Sequence, residues 1–466
     1  MMRVATLTAE NVHGYLPIQV NFFEDITFLT GLNGSGKTSA LRLLMALLGP
    51  NLEELGAIDY SAATVNVTDG GKRTEVSAIR TPEGVRLCTS DQGGHLDISS
   101  AELEMIHDAK RRDEPRSPII ERYNSNPIFQ SIRSMSTPMF LGLDRRFSIP
   151  GTTLEDSTEV RRREYMARRY WPEDPSFRNS AVAAGLIDVN YLVVTRMQEI
   201  RAAQEQLDER LRAQFFAKAF EYNPSHLVGK QTRLPSRAEL NKYRDQLTKI
   251  ERAAEGVRIP VPEIQMALTR FFERMSHVVE SLNKSSEAQK VSKKRRKTND
   301  KPASVQMMID RDYVEWIMNK PQADRIVEHL RLLEEYIENR NSLRDPIARF
   351  LSLVNSFFVQ TKKVVSVANT GQLTVSIEGD SQQRPISALS SGERQLLVML
   401  AHLSLNPSLT VSGVFIVDEP ELSLHIDWQE KFVEAIREAN PNVQLILATH
   451  SPAIILDRLD SCRSLS

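Results

Sequence analysis

Residues Gly31 to Thr38 read Gly-Leu-Asn-Gly-Ser-Gly-Lys-Thr, and few folds can carry such a run. The pattern Gly-x-x-x-x-Gly-Lys-Thr works only between a buried strand and a helix, where free backbone N–H groups wrap phosphate oxygens at the helix's positive end. Both contexts are present. Asp25–Thr30 reads as a buried strand, and Leu41, Leu44, Leu47 and Leu48 recur at helical spacing until Gly49-Pro50 stops them. Asn33, Gly34, Ser35, Gly36, Lys37, Thr38 and Ser39 are therefore candidate nucleotide-binding residues. Lys37 offers a point charge to the β- and γ-phosphates, and the Thr38 hydroxyl is placed to ligate Mg²⁺.

The complement to this loop lies more than 300 residues further on. The apolar run Val414-Phe-Ile-Val ends in Asp418-Glu419, and a carboxylate at the tip of a buried strand is costly unless a metal or strong donors meet it. Asp418 is expected to hold Mg²⁺, and Glu419 to act as the general base on the attacking water. The bland alternative is an exposed acidic pair opening a loop before Pro420. Ser390, Ser391, Gly392 and Glu393 open the apolar helix that follows. They read either as an ordinary N-cap or as a second anion site on a helix dipole. His450 ends a β-rich run and precedes Ser451-Pro452. A lone histidine is ordinarily structural. This one falls one strand after the acidic pair, where a γ-phosphate sensor would sit.

The rest of the chain sorts around these motifs. Short strands are expected at Val4–Thr8, Ile18–Phe22, Thr64–Val67, Thr74–Ile79, Val85–Thr89 and Pro138–Leu143. From about Tyr170 the character turns helical, with apolar faces at Ile200/Leu207/Leu211, Leu240/Tyr243/Leu247 and Ile326/Leu330/Leu333. Pro224, Pro235, Pro260, Pro262 and Pro346 are expected to break this region into pieces rather than one coiled coil. Strand and helix alternate again after Val364, as a parallel sheet requires. The expected organisation is an N-terminal lobe over residues 1–165, a helical insertion over 166–349 for partner binding or dimerisation, and a C-terminal lobe over 350–466.

Composition narrows the setting. Lys and Arg number 59 against 60 Asp and Glu, a net charge of −1, so no global basic field for nucleic acid exists. The two cysteines suit neither a disulfide framework nor a zinc site. The longest apolar stretches fall short of the roughly 20 residues of a membrane span, and the expectation is a cytoplasmic protein with no membrane partner.

Together these motifs resemble the ABC-type ATPase heads of the RecF, SMC and OLD group. Leu389-Ser-Ser-Gly-Glu resembles the signature, Glu421-Leu-Ser-Leu-His425 the D-loop and Ala448-Thr-His450 the H-loop. The resemblance implies an α/β fold: a P-loop NTPase head with a mixed sheet, flanking helices and an inserted, mainly helical domain. It also implies ATP and Mg²⁺ as ligands, and two heads that sandwich ATP, with Ser390, Ser391, Gly392 and Glu393 acting on nucleotide held by a second copy. Within the group the chain looks most like bacterial anti-phage ATPases: the OLD head, PtuA of Septu and AriA of PARIS. In that setting the function is a switch controlling a separate effector nuclease of HNH or Toprim type, in an assembly built from dimers. A RecF-like DNA-binding ATPase of repair or recombination is the alternative.

Two positions depart from the group's pattern. Asn11-Val-His13-Gly-Tyr15 stands where an arginine often touches the nucleotide, and Asp144-Arg145 stands where a Q-loop glutamine is expected. Lys290-Val-Ser-Lys-Lys-Arg-Arg-Lys297 is the one dense basic block. It reads as a solvated linker or as a contact for nucleic acid or an acidic partner.

Overall fold

The computed structural model describes residues 2–111, 122–135, 138–142, 147–148, 181–219, 311–368, 371–380, 382–406 and 413–465, with isolated positions between 266 and 281. It forms two compact units, Met1–Gln198 with Pro346–Ser466, and Glu199–Asp345. In chain order the N-terminal elements are β1 (Arg3–Val12), β2 (Leu16–Asn21), β3 (Ile26–Thr30), α1 (Lys37–Leu48), α2 (Leu52–Ala57), β4 (Ala62–Asp69), β5 (Lys72–Thr81), β6 (Gly84–Thr89) and β7 (Gln92–Ser99). Then come α3 (Ser100–Arg111), α4 (Pro127–Ser134), β8 (Met139–Leu141), β9 (Phe147–Ser148) and two long helices, α5 (Ala181–Ala219) and α6 (Arg311–Phe358). The chain continues with β10 (Lys363–Val367), β11 (Leu373–Ile377), β12 (Arg384–Pro385), α7 (Ser391–Leu405), β13 (Val414–Asp418), α8 (Ile426–Ala439), β14 (Gln444–Ala448), α9 (Pro452–Ile455) and β15 (Cys462–Ser464).

The sheet that carries the motifs has strand order β15-β3-β14-β13-β8-β9 and is parallel except for β9. Every residue of β13 and β14 is buried, as a parallel sheet covered on both faces demands. A second sheet, β2-β1-β4-β5-β6-β7, is antiparallel throughout, and β10-β11-β12 form a small third one. Helix α1 belongs to one core with both large sheets. Leu41, Leu43, Leu44 and Leu47 cluster with Val65 and Val76 of the antiparallel sheet and with Ile416 and Ile446 of the parallel one. Apart from its polar first turn and the exposed Arg42, which pairs with Glu54, the helix is apolar and is stable only when enclosed in this way.

The two large sheets are also joined by polar contacts. The fully buried Gln444 accepts the Val4 N–H at 2.7 Å and donates to the carbonyls of Val4 at 2.8 Å and Phe23 at 2.7 Å. This amide satisfies backbone groups that the junction would otherwise leave unpaired.

The structure departs from the sequence expectations in three places. Pro346 does not end a helix, because α6 runs unbroken from Arg311 to Phe358. The lost hydrogen bond is outweighed by burial immediately beyond it, where Ile347, Phe350, Leu353 and Val354 are core residues. Residues 181–198, expected in the insertion, group with the first compact unit: Leu186, Ile187, Val189 and Val193 are buried, and Asn190 accepts the Leu373 N–H. Finally, the chain's last stretch adds β15 beside β3, a strand its short polar sequence does not announce. In the second unit, α5 and α6 meet through Phe215 stacked on His329 and through the Tyr336 hydroxyl donating to Asp208. The expected helices over 236–250, the basic run Lys290–Lys297 and the pair Asp144-Arg145 lie outside the described residues. Among the described residues, no helix is long and apolar enough to cross a membrane.

Candidate functional site

The phosphate loop leaves β3 through three glycines in the left-handed region, Gly31 (φ 147°), Gly34 (φ 86°) and Gly36 (φ 86°). Side chains there would be strained, and two of the three positions are also crowded. A Cβ on Gly31 would stand 2.4 Å from the Leu465 carbonyl, and one on Gly36 would stand 2.4 Å from Leu16. The Lys37 ammonium folds back to donate to the carbonyls of Gly31 at 2.9 Å and Leu32 at 3.1 Å. Burial lowers its pKa, and the nearby carboxylates Glu419, Asp418 and Glu421 only partly offset that. Asn33 and Gly34 are exposed at the mouth of the loop, while Ser35, Gly36, Thr38 and Ser39 are half-buried. Ser39 Oγ lies 2.8 Å from His13 Nε2, so the turn between β1 and β2 touches the start of α1.

Parallel register brings the acidic pair to this loop. Asp418 pairs with Ala448, and Ala448 pairs with Leu29, so the ends of β13, β14 and β3 are level, with β14 in the middle. Asp418 is 4% exposed, and its carboxylate lies beside the Thr38 hydroxyl and within electrostatic reach of the Lys37 ammonium. Burial pushes its pKa up, and the neighbouring Glu419 charge adds to that. A buried carboxylate and a hydroxyl supply oxygen donors for a hard cation shared with phosphate oxygens, which the neighbouring ammonium helps to hold. Thr38 and Asp418 therefore fit Mg²⁺. No trio of His, Cys, Asp or Glu among the described residues could hold a metal unaided.

Glu419 is half-buried at the strand tip in the left-handed region (φ 47°, ψ 61°), and its N–H donates to the Ala448 carbonyl at 2.8 Å. Such a conformation in a non-glycine residue stores about 1–3 kcal/mol and concentrates at functional sites. Beyond it, Pro420–Ser423 forms a short 3₁₀ turn. The Glu421 carboxylate accepts the Thr449 hydroxyl at 2.9 Å on one oxygen and the His450 N–H at 2.7 Å on the other. Ser451 Oγ donates to Gln429 of α8 at 2.6 Å. His450 itself is exposed.

Ser390, Ser391, Gly392 and Glu393 form a separate group. Ser390 Oγ accepts the Glu393 N–H, and Glu393 reaches back to the Ser390 N–H at 2.6 Å, completing a capping box. Ser390 and Ser391 are exposed, but Glu393 is 1% exposed and ion-paired with Lys363 at 2.7 Å. Its carboxylate serves its own loop, which is a positioning role and not that of a ligand. The N-cap and anion-site readings are compatible here, since the cap shapes a loop whose hydroxyls face outward.

The structure thus gathers Lys37, Thr38, Asp418, Glu419 and the Thr449–His450 turn at the carboxyl ends of β3, β13 and β14, while Glu393 answers to Lys363. Sequence reading singled out neither Glu421 as the partner of His450 nor Lys363 as the partner of Glu393. The Ser-x-x-Glu spacing signals the Ser390–Glu393 cap but not Lys363, which lies 30 positions upstream of Glu393.

Comparison with known proteins gives the following. The family profile described as "AAA domain" matches residues 6–257, and a second AAA-domain profile, whose description adds the AbiEii toxin of Type IV TA systems, matches 262–457. The retron Vc95 probable ATPase of Vibrio cholerae serotype O1 biovar El Tor is 28% identical over 162 residues, 32% of each chain. The retron Ec83 probable ATPase of Escherichia coli is 29% identical over 91 residues, 18% of this chain and 17% of the relative. The matched stretches span a third or less of these curated relatives. Superposition on the Smc head of Pyrococcus furiosus bound to the C-terminal domain of ScpA gives a TM-score of 0.36 at 13% identity, covering 98% and 91% of the two chains. The SMC head of Thermotoga maritima gives 0.34 at 11% identity, covering 99% and 94%.

Proposed function

Because the chain belongs to the AAA-domain family, we propose that it is an ATPase head of the RecF, SMC and OLD type and a switch that closes as a dimer around ATP. The observation that carries this reading is the buried Asp418 carboxylate set beside the Thr38 hydroxyl and the Lys37 ammonium at the strand ends. Its desolvation cost makes sense when a cation is received there.

Lys37 exchanges its two loop carbonyls for phosphate oxygens, and the loop's N–H groups bind the remaining ones. Thr38 and Asp418 would hold Mg²⁺, which when bound neutralises charge on the transferring phosphoryl group. Glu419 orients the attacking water and takes its proton at a carboxylate oxygen. His450 contacts the γ-phosphate from the end of β14. Ser390, Ser391 and Gly392 present hydroxyls and N–H groups to nucleotide held by a second copy, and Lys363–Glu393 fixes the loop that carries them.

The likeness to two bacterial retron ATPases supports a place within a multi-component bacterial system. In this reading, closure and hydrolysis control a separate effector nuclease in anti-phage defence, through the second compact unit, Glu199–Asp345. A pull-down with the product of the neighbouring gene, in ATP and in ADP, tests that step. Nucleotide-dependent capture supports it, and equal or absent capture in both states removes it.

A further inference from the structure

Three hydrogen bonds cross from the end of β13 to the end of β14, and two of them come from a residue with no role in the scheme above. Glu419 N–H donates to the Ala448 carbonyl, which fixes the general base's own backbone. Glu421, two residues on, takes the Thr449 hydroxyl at 2.9 Å and the His450 N–H at 2.7 Å, one on each carboxylate oxygen. Thr449 is fully buried and its Oγ1 also accepts the Ser451 N–H at 3.0 Å. Gln429 completes the frame by accepting Ser451 Oγ and donating to the Leu424 carbonyl at 2.9 Å. The residues on either side of His450 are thus tied to the turn that follows the general base, whereas the imidazole is exposed.

We propose that Glu421 is the positioning residue for His450: its carboxylate sets the imidazole relative to Glu419 and so couples the sensor turn to the hydrolytic turn. The inference rests on the reading of Glu419 and His450 as hydrolytic residues. Each carboxylate oxygen takes one hydrogen bond from the turn after β14, so the Glu421 side chain is oriented by that turn. Ground-state nucleotide binding depends on the phosphate loop and Asp418, which Glu421 reaches through its charge alone, and Glu421→Gln removes that charge while keeping the side chain's shape. Its loss therefore falls on turnover.

The test is steady-state ATP hydrolysis and equilibrium ATP binding in the full chain for Glu421→Ala, Glu421→Gln, His450→Ala and the double variant Glu421→Ala/His450→Ala. Misplacing a catalytic group by about 1 Å costs up to roughly 100-fold, so Glu421→Ala should lower kcat by about 10- to 100-fold while the ATP Kd changes by less than about 3-fold. Glu421→Gln keeps an acceptor for the His450 N–H and a partner for the Thr449 hydroxyl, and should retain most of the rate. The double variant should be no slower than His450→Ala alone. A multiplicative double variant, or Glu421→Gln as slow as Glu421→Ala, overturns the positioning role. If His450→Ala hydrolyses ATP normally, the sensor reading fails instead, which separates the two claims. Far-UV circular dichroism and melting of each variant exclude misfolding. If Glu421→Ala does not fold, Glu421→Asp, which keeps the charge but shortens the side chain, should lower kcat by about 10-fold at unchanged ATP Kd, and a wild-type kcat in it overturns the role.

Discussion

The Lys363 ammonium stands 2.7 Å from a carboxylate oxygen of Glu393, and the same oxygen accepts the Ser390 N–H at 2.6 Å. One buried charge is thereby matched by a strand residue and a cap, and the exposed serines inherit a fixed geometry.

Burial alone raises the Glu393 pKa, but hydrogen bonds from Lys363, Ser390 and Thr361 outweigh it and hold the carboxyl below the ordinary 4.5. A depressed folded pKa stabilises the native state above the ordinary value, and that contribution is lost as pH falls through the folded one. Lys363→Met should cost about 3 kcal/mol at neutral pH in urea melts. It should also shrink the further loss on acidification below pH 4.5. In the dimer reading, the same variant binds ATP normally but closes poorly.

Asp418 titrates the other way. Its folded pKa is raised by burial and by Glu419, so its contribution is present at low pH and lost as pH rises through the raised value. Asp418→Asn should therefore raise the melting temperature of the nucleotide-free protein while abolishing Mg²⁺-dependent hydrolysis. Melting curves without nucleotide and phosphate-release assays with it check both halves.

Gln444 is the polar joint between the two large sheets. Gln444→Leu keeps the volume but orphans the Val4 N–H and the carbonyls of Val4 and Phe23. Each buried unsatisfied group costs about 1–3 kcal/mol, so destabilisation of at least about 3 kcal/mol is expected by denaturant titration.

What could be read in advance follows physical locality. The phosphate loop, β3 and α1 were legible because strand, glycines and helix are contiguous and each needs the next. β13 and β14 were legible as unbroken apolar runs. β15 was not: Cys462-Arg-Ser464 has no strand pattern of its own and is set by pairing with β3. Likewise Gln92-Gly-Gly-His in β7 owes its strand to β6. Pro346 signalled a break, but it falls at the border between the two compact units and not at a helix end. Glu421 and His450 are 29 positions apart, and only the pairing of Asp418 with Ala448 brings them together.

The phosphate-loop glycines should differ in their tolerance. A Cβ on Gly34 meets nothing within 4 Å, so Gly34→Ala bears only the strain of a left-handed backbone, about 1 kcal/mol. Gly31→Ala must also displace the Leu465 carbonyl, which a Cβ would approach to 2.4 Å. Isothermal titration should find the ATP analogue bound much more weakly by Gly31→Ala than by Gly34→Ala.

The central claim is that Glu419 hydrolyses ATP held between two copies of this chain. Light scattering of Glu419→Gln in Mg²⁺ with ATP, then with ADP, tests it most directly. The account predicts a mass that doubles in ATP, persists because hydrolysis is blocked, and falls back in ADP. A mass independent of nucleotide, or ATP turnover at the wild-type rate in this variant, would contradict it.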